Sequence, residues 1–84
     1  MKMCYITFRS VTPAQRAERI LKSAGLNCAI VRTPKWMEEQ GCGYSLQVPQ
    51  KQLQQGIDIL QRNRVSYRKV YLRLDNGTME AIEV

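Results

Sequence analysis

The sequence predicts an α+β fold with two helices on one face of an antiparallel sheet. Three observations predict it. Apolar and polar residues alternate at Met3–Phe8 and at Tyr44–Val48, the period of a half-buried strand. Two segments, opening near Thr12 and Pro49, instead place apolar residues at helical spacing. No linker, repeat or low-complexity tract divides the 84 residues, so residues 1–84 read as a single small domain.

The first strand, Met3 to Phe8, puts Cys4, Ile6 and Phe8 on one side. Thr12-Pro13-Ala14-Gln15 opens the first helix: Thr12 can cap, Pro13 suits the first helical position and Gln15 completes a capping-box pattern. Ala14, Ala17, Leu21 and Ala24 share a face, with Ile20 beside it, and Gly25 stands where helices end. Cys28 to Thr33 is β-prone and Pro34 stops it. Lys35 to Gly43 reads as a loop.

The third strand holds Tyr44, Leu46 and Val48 on one side. Pro49 begins a second helix, in which Leu53, Ile57 and Leu60 keep helical spacing and Gly56 costs about 1 kcal/mol relative to alanine. Val65 to Leu74 reads as a fourth strand. Asn76-Gly77 signals a hairpin that returns Met79 to Val84 against it. The order βαββαβ plus a terminal strand is the ferredoxin-like split pattern, with a C-terminal β-hairpin extension. Right-handed crossovers then bring the Lys35–Gly43 loop, the start of the first helix at Arg9, Ser10 and Thr12, and the end of the second at Arg62–Arg64 to one end of the molecule.

Composition bounds the function. Thirteen Lys and Arg against seven Asp and Glu leave a net charge of +6, which favours acidic partners: nucleic acid, an anionic substrate or an acidic protein. No apolar run reaches the roughly 20 residues of a membrane span. Met1 to Arg9 reads as an alternating segment rather than a signal peptide, so the expected compartment is the cytoplasm. Three cysteines without a CxxC pair, in a chain without histidine, point to reduced thiols and give no zinc pattern. Neither a metal nor a cofactor is expected.

Cys42 lies between Gly41 and Gly43, a setting that leaves a thiol reachable and its neighbouring amides open. A helix N-terminus and Arg9, Lys35 and Arg64 at the same end would favour thiolate over thiol, and thiolate is the nucleophile. Hydrolysis needs a base beside the nucleophile, and the nearby Glu38 and Glu39 read as loop solvation. Disulfide exchange needs a resolving thiol, whereas Cys4 and Cys28 read as strand residues near or in the core. Carrying a sulfur or selenium atom demands less: an accessible nucleophile, a cationic edge and room for a partner. The plain alternative is a surface cysteine in a glycine turn.

Tyr5-Ile6-Thr7-Phe8-Arg9-Ser10, Ala17-Glu18, Ala24-Gly25-Leu26, Pro34, Gly41-Cys42-Gly43, Leu46 and Tyr71 together resemble the family described as Putative Se/S carrier protein-like. The resemblance covers roughly residues 4 to 73. Its implication is a carrier that holds sulfur or selenium on Cys42 as a persulfide or perselenide. Gly41 and Gly43 would give access and amides, and Arg9, Ser10 and Lys35 would hold the anion. It also implies a donor of the cysteine desulfurase or selenocysteine lyase type and an acceptor protein. The 35–40 stretch, Lys-Trp-Met-Glu-Glu-Gln, is bulkier and more acidic than the small-residue approach of that family.

Two further readings stand beside this one. Trp36 is either a partner anchor or core. Tyr5, Tyr67 and Tyr71 among Arg68, Lys69 and Arg73 suggest a sheet face that binds single-stranded RNA or a protein, although no RNP-like run accompanies them. An open sheet face also invites a homodimer.

Overall fold

The computed structural model describes residues 2–33 and 43–83. The elements run β1 (Met3–Thr7), α1 (Val11–Ser23), β2 (Ala29–Arg32), β3 (Tyr44–Pro49), α2 (Gln50–Arg62), β4 (Val70–Arg73) and β5 (Met79–Ile82). The strands form one sheet in the order β2-β3-β1-β4-β5, and every neighbouring pair is antiparallel.

Side-chain alternation explains the layering. Cys4, Ile6 and Phe8 of the first strand segment, Leu46 and Val48 of β3, and Val70 of β4 are buried with Ala14, Ala17 and Leu21 of α1 and Leu53, Ile57 and Leu60 of α2. Both helices therefore cover the same face. The register matches the burial: Ile6 lies opposite Leu46 on one side and Val70 on the other, so three apolar residues form a row under the helices. Tyr5 lies opposite Gln47 and Tyr71, and belongs to a separate cluster on the far face with Met3, Val31 and Met79.

The ends of the helices depart from the sequence expectation. α1 begins at Val11, with Ser10 as its N-cap in an extended conformation, so Thr12 does not cap and Pro13 is the third helical residue. Proline is tolerated there because the first-turn amides have no intrahelical acceptor to lose. Ala24 is the C-cap and is exposed, which removes it from the buried face. Gly25, at φ +85, then ends the helix: Leu26 N–H bonds to Leu21 O at 3.0 Å and Gly25 N–H to Lys22 O at 3.0 Å. This is a Schellman closure, and it brings Leu26 over the helix it terminates.

α2 ends in the same way with a different residue. Val65 N–H bonds to Leu60 O at 2.9 Å and Arg64 N–H to Gln61 O at 3.1 Å, with Arg64 at φ +58. Arginine thus occupies the left-handed position usually given to glycine. Because Val65 closes the helix, the fourth strand starts at Val70 rather than at Val65. Pro49 likewise finishes β3 and caps α2 instead of starting it. β2 is shorter than expected, Ala29–Arg32, and β5 stops at Ile82.

Gly56 faces α1 and is buried. A methyl group there would meet Leu26 Cδ2 at 3.4 Å and Leu21 Cδ1 at 3.5 Å. The hairpin after β4 closes through Gly77 N–H to Leu74 O at 2.9 Å, with Gly77 at φ +88 and Asn76 Oδ1 accepting from Thr78 N–H at 3.0 Å. No helix among the described residues is long and apolar enough to cross a membrane.

Candidate functional site

The sheet has an upper end, where β1 finishes at Thr7, and the chain returns to it repeatedly. β3 starts there, since Thr7 lies opposite Ser45. β2 finishes there, since Arg32 lies opposite Tyr44. The segment from 34 to 42 leaves from and re-enters this end: Thr33 N–H bonds to Gly43 O at 2.8 Å. Gly43 is buried at φ +82, a conformation that a side-chain-bearing residue would adopt only with strain. Pro34, Lys35, Trp36, Met37, Glu38, Glu39, Gln40, Gly41 and Cys42 lie outside the described residues. Of the expected site residues, the structure therefore places Arg9, Ser10 and Gly43.

Arg9 and Ser10 follow β1 directly at the upper end, and both are exposed. Ser10 occupies the N-cap of α1, yet its side chain makes no capping hydrogen bond, and the first turn carries no acidic residue. The positive end of α1 is thus left without a built-in counter-charge.

The end of α2 and the start of β4 reach the same place. Arg68 N–H donates to Thr7 O, and Thr7 N–H donates to Lys69 O, both at 2.8 Å. Thr7 Oγ1 also accepts from Lys69 N–H at 3.1 Å. Arg16 from the first half of α1 donates to Asn63 O at 3.2 Å, tying α1 to the residue between Arg62 and Arg64. The expected convergence of Arg9 and Ser10 with Arg62–Arg64 is therefore present. The sequence reading had missed Arg16, and it had assigned Arg68 and Lys69 to the sheet face. It missed their position because the apolar alternation from Val65 onward hides the helix closure that delays the strand.

Two buried hydroxyls at this end were also missed. Ser45 is wholly buried and Thr33 is 5% exposed, yet among the described residues neither Oγ has a hydrogen-bond partner. They share the face opposite the helices with Thr7, since Ser45 lies between Thr7 and Val31. Nothing in a strand sequence marks such a hydroxyl in advance.

The other two cysteines have core roles. Cys4 has no exposed surface, and burial raises its thiol pKa above the ordinary 9.0. Cys28 is half-buried against the core, and its Sγ donates to Glu18 O at 3.7 Å. Its pKa is also raised, first by burial and then by the Glu18 carboxylate, with Lys22 acting in the opposite sense. Both environments disfavour the thiolate. Cys28 precedes β2 at the lower end, away from Thr33 and Gly43.

The tyrosines are not arranged as an open stacking surface. Tyr5 and Tyr71 do lie on the face opposite the helices, but they are 6% and 7% exposed. Gln47 Nε2 donates to Tyr5 Oη at 2.8 Å. Tyr67 lies before β4, not in it, and packs against the helix-side core. Base stacking needs an accessible ring face, which Tyr5 and Tyr71 do not offer. Among the described residues no cluster of carboxylates and thiols gathers in a way that could hold a metal ion.

The family model described as Putative Se/S carrier protein-like matches residues 3–72, from the first residue of β1 to within β4. No curated protein matches the chain, and no solved structure matches it.

Proposed function

The chain belongs to this Se/S carrier protein-like family, and from that premise we propose that it carries sulfur or selenium on Cys42. The observation that carries the reading is the extent of the match, which runs over residues 3–72 and so spans the positions of Gly41, Cys42 and Gly43. Two structural facts support it. Thr33 and Gly43, which precede and follow the segment holding Cys42 in the chain, lie at the upper end, where Arg9 and the uncapped start of α1 also lie. The remaining thiols, Cys4 and Cys28, sit where burial suppresses ionisation.

In this reading the fold is a ferredoxin-like domain over residues 1–84, working in the cytoplasm. The Cys42 thiolate attacks the terminal sulfur of a donor persulfide. The donor's S–S bond breaks, a new S–S bond forms on Cys42, and the donor leaves as its thiolate. No external oxidant is consumed. A thiolate on the acceptor then takes the same sulfur atom and releases Cys42. Gly41 and Gly43 give access, and Arg9, Ser10 and Lys35 hold the anionic terminal atom. The donor is of the cysteine desulfurase type for sulfur, or the selenocysteine lyase type for selenium. The function is that of a carrier that turns over only with its partners.

The test is intact-mass measurement after incubation with a cysteine desulfurase and cysteine. The expected product carries one added sulfur atom, which dithiothreitol removes. Cys42→Ala should carry none, while Cys28→Ser should still carry it. An adduct that persists in Cys42→Ala would remove this cysteine from the role.

A further inference from the structure

The cationic character of the upper end exceeds what holding a single sulfur anion requires. Arg9, Arg16, Arg62, Arg64 and Arg68 come from four separate stretches of chain and are brought together there. The Thr7 bonds to residues 68 and 69 and the Arg16–Asn63 bond hold them in place. All are exposed except Arg68, which is partly so. The ion pair of Lys22 with Glu18, at 3.3 Å, lies elsewhere on α1. Of the described carboxylates, Glu83 is near this end through the β4–β5 pairing, and Asp58 lies one turn before the end of α2. The sequence between Thr33 and Gly43 adds one lysine and two glutamates, too few to reverse the sign.

Like charges gathered on a small domain repel one another, and such a patch steers oppositely charged partners. We propose that this end is the docking surface for an acidic protein surface on the sulfur or selenium donor, one that surrounds the donor's own reactive cysteine. The proposal rests on the carrier reading of Cys42. A protein partner fits better than nucleic acid because Tyr5 and Tyr71 are closed to stacking, leaving charge without a base-reading platform. The α1 start adds to the attraction, since neither a side-chain cap nor an acidic first turn offsets it. Docking here would set the donor's persulfide beside the two strand ends from which the Cys42 segment departs.

The experiment compares two sources of sulfur. Transfer from a persulfide-loaded cysteine desulfurase is timed against ionic strength for the native chain, for Arg62→Glu/Arg68→Glu, and for Lys51→Glu/Arg73→Glu as a control. Loading by inorganic polysulfide, which needs no docking, is timed in parallel. The expected result is transfer that slows steeply with salt and drops by about 10-fold or more in the first variant. The control variant should stay near native rates, and loading by polysulfide, a small anion without a docking surface, should slow far less than donor transfer. Donor transfer indifferent to both salt and Arg62→Glu/Arg68→Glu would overturn the docking surface alone, provided polysulfide still loads Cys42. Equal slowing of polysulfide loading would also overturn it, by moving the effect onto the thiol. Salt-sensitive binding of single-stranded RNA, lost in that variant while donor transfer is unchanged, would assign the patch to nucleic acid instead. Failure of Cys42 to load from either source would overturn the carrier reading, and this proposal with it.

Discussion

Thr33 and Gly43 are held together by a 2.8 Å hydrogen bond from the Thr33 amide to the Gly43 carbonyl. This bond continues the β2–β3 pairing by one step beyond Arg32 and Tyr44. It makes Thr33 and Gly43 an extension of the sheet. Ser45, two residues after Gly43, is wholly buried beside this extension with its hydroxyl unpaired among the described residues.

An unpaired buried hydroxyl costs stability. Ser45→Ala should therefore raise the free energy of unfolding by about 1 kcal/mol, measured by urea denaturation. A loss of comparable size would show that the hydroxyl is bonded and that the substitution breaks that bond.

Arg64 carries the strain of the left-handed region at φ +58 while closing α2. Replacing it by glycine relieves about 1–2 kcal/mol in the folded state and gives part of this back as unfolded-chain entropy. The expected net gain for Arg64→Gly is about 0.5–1 kcal/mol. Arg64→Ala removes the same charge but keeps a Cβ, so it should gain little. Equal effects of the two would trace the change to charge and not to backbone.

The buried thiols set an alkaline limit. Cys4 and Cys28 titrate above the ordinary 9.0 in the folded chain, so above that pH the unfolded chain loses protons that the folded chain keeps. Their contribution to stability is intact below 9.0 and is lost as the pH rises through the raised values. Urea midpoints should fall on the alkaline side of 9.0, and less steeply in Cys28→Ala. In a neutral-pH iodoacetamide time course read by peptide mass spectrometry, Cys4 should label last. Early labelling of Cys4 would contradict its burial.

Much of the architecture was legible because the periodicities are clean. The alternation of Cys4, Ile6 and Phe8 and the spacing of Leu53, Ile57 and Leu60 each named one buried face, and the structure buries those residues. Gly25 and Asn76-Gly77 were readable because left-handed backbone has few tenants. The boundaries were less legible where two signals competed. Val65 looks like the first residue of a strand, but its amide completes a helix closure that arginine, not glycine, makes. Gly56 reads as a defect in a helix, yet its cost depends on how closely α1 packs there, a distance no sequence states. For the site, the sequence brought Arg9, Ser10 and Arg62–Arg64 to one end correctly. It left Arg16 and Arg68 out because their placement follows from tertiary hydrogen bonds. Cys42 itself, with Gly41 and Lys35, lies outside the described residues, and its role is read from the sequence.

The most direct measurement of the central claim is peptide mapping after one round of transfer from a cysteine desulfurase supplied with isotopically labelled cysteine, with persulfides trapped by alkylation. The account predicts the labelled sulfur on the peptide containing Cys42, and its passage to an added acceptor thiol. Label confined to Cys28, or a Cys42 peptide that stays unmodified while the desulfurase remains loaded, would contradict it.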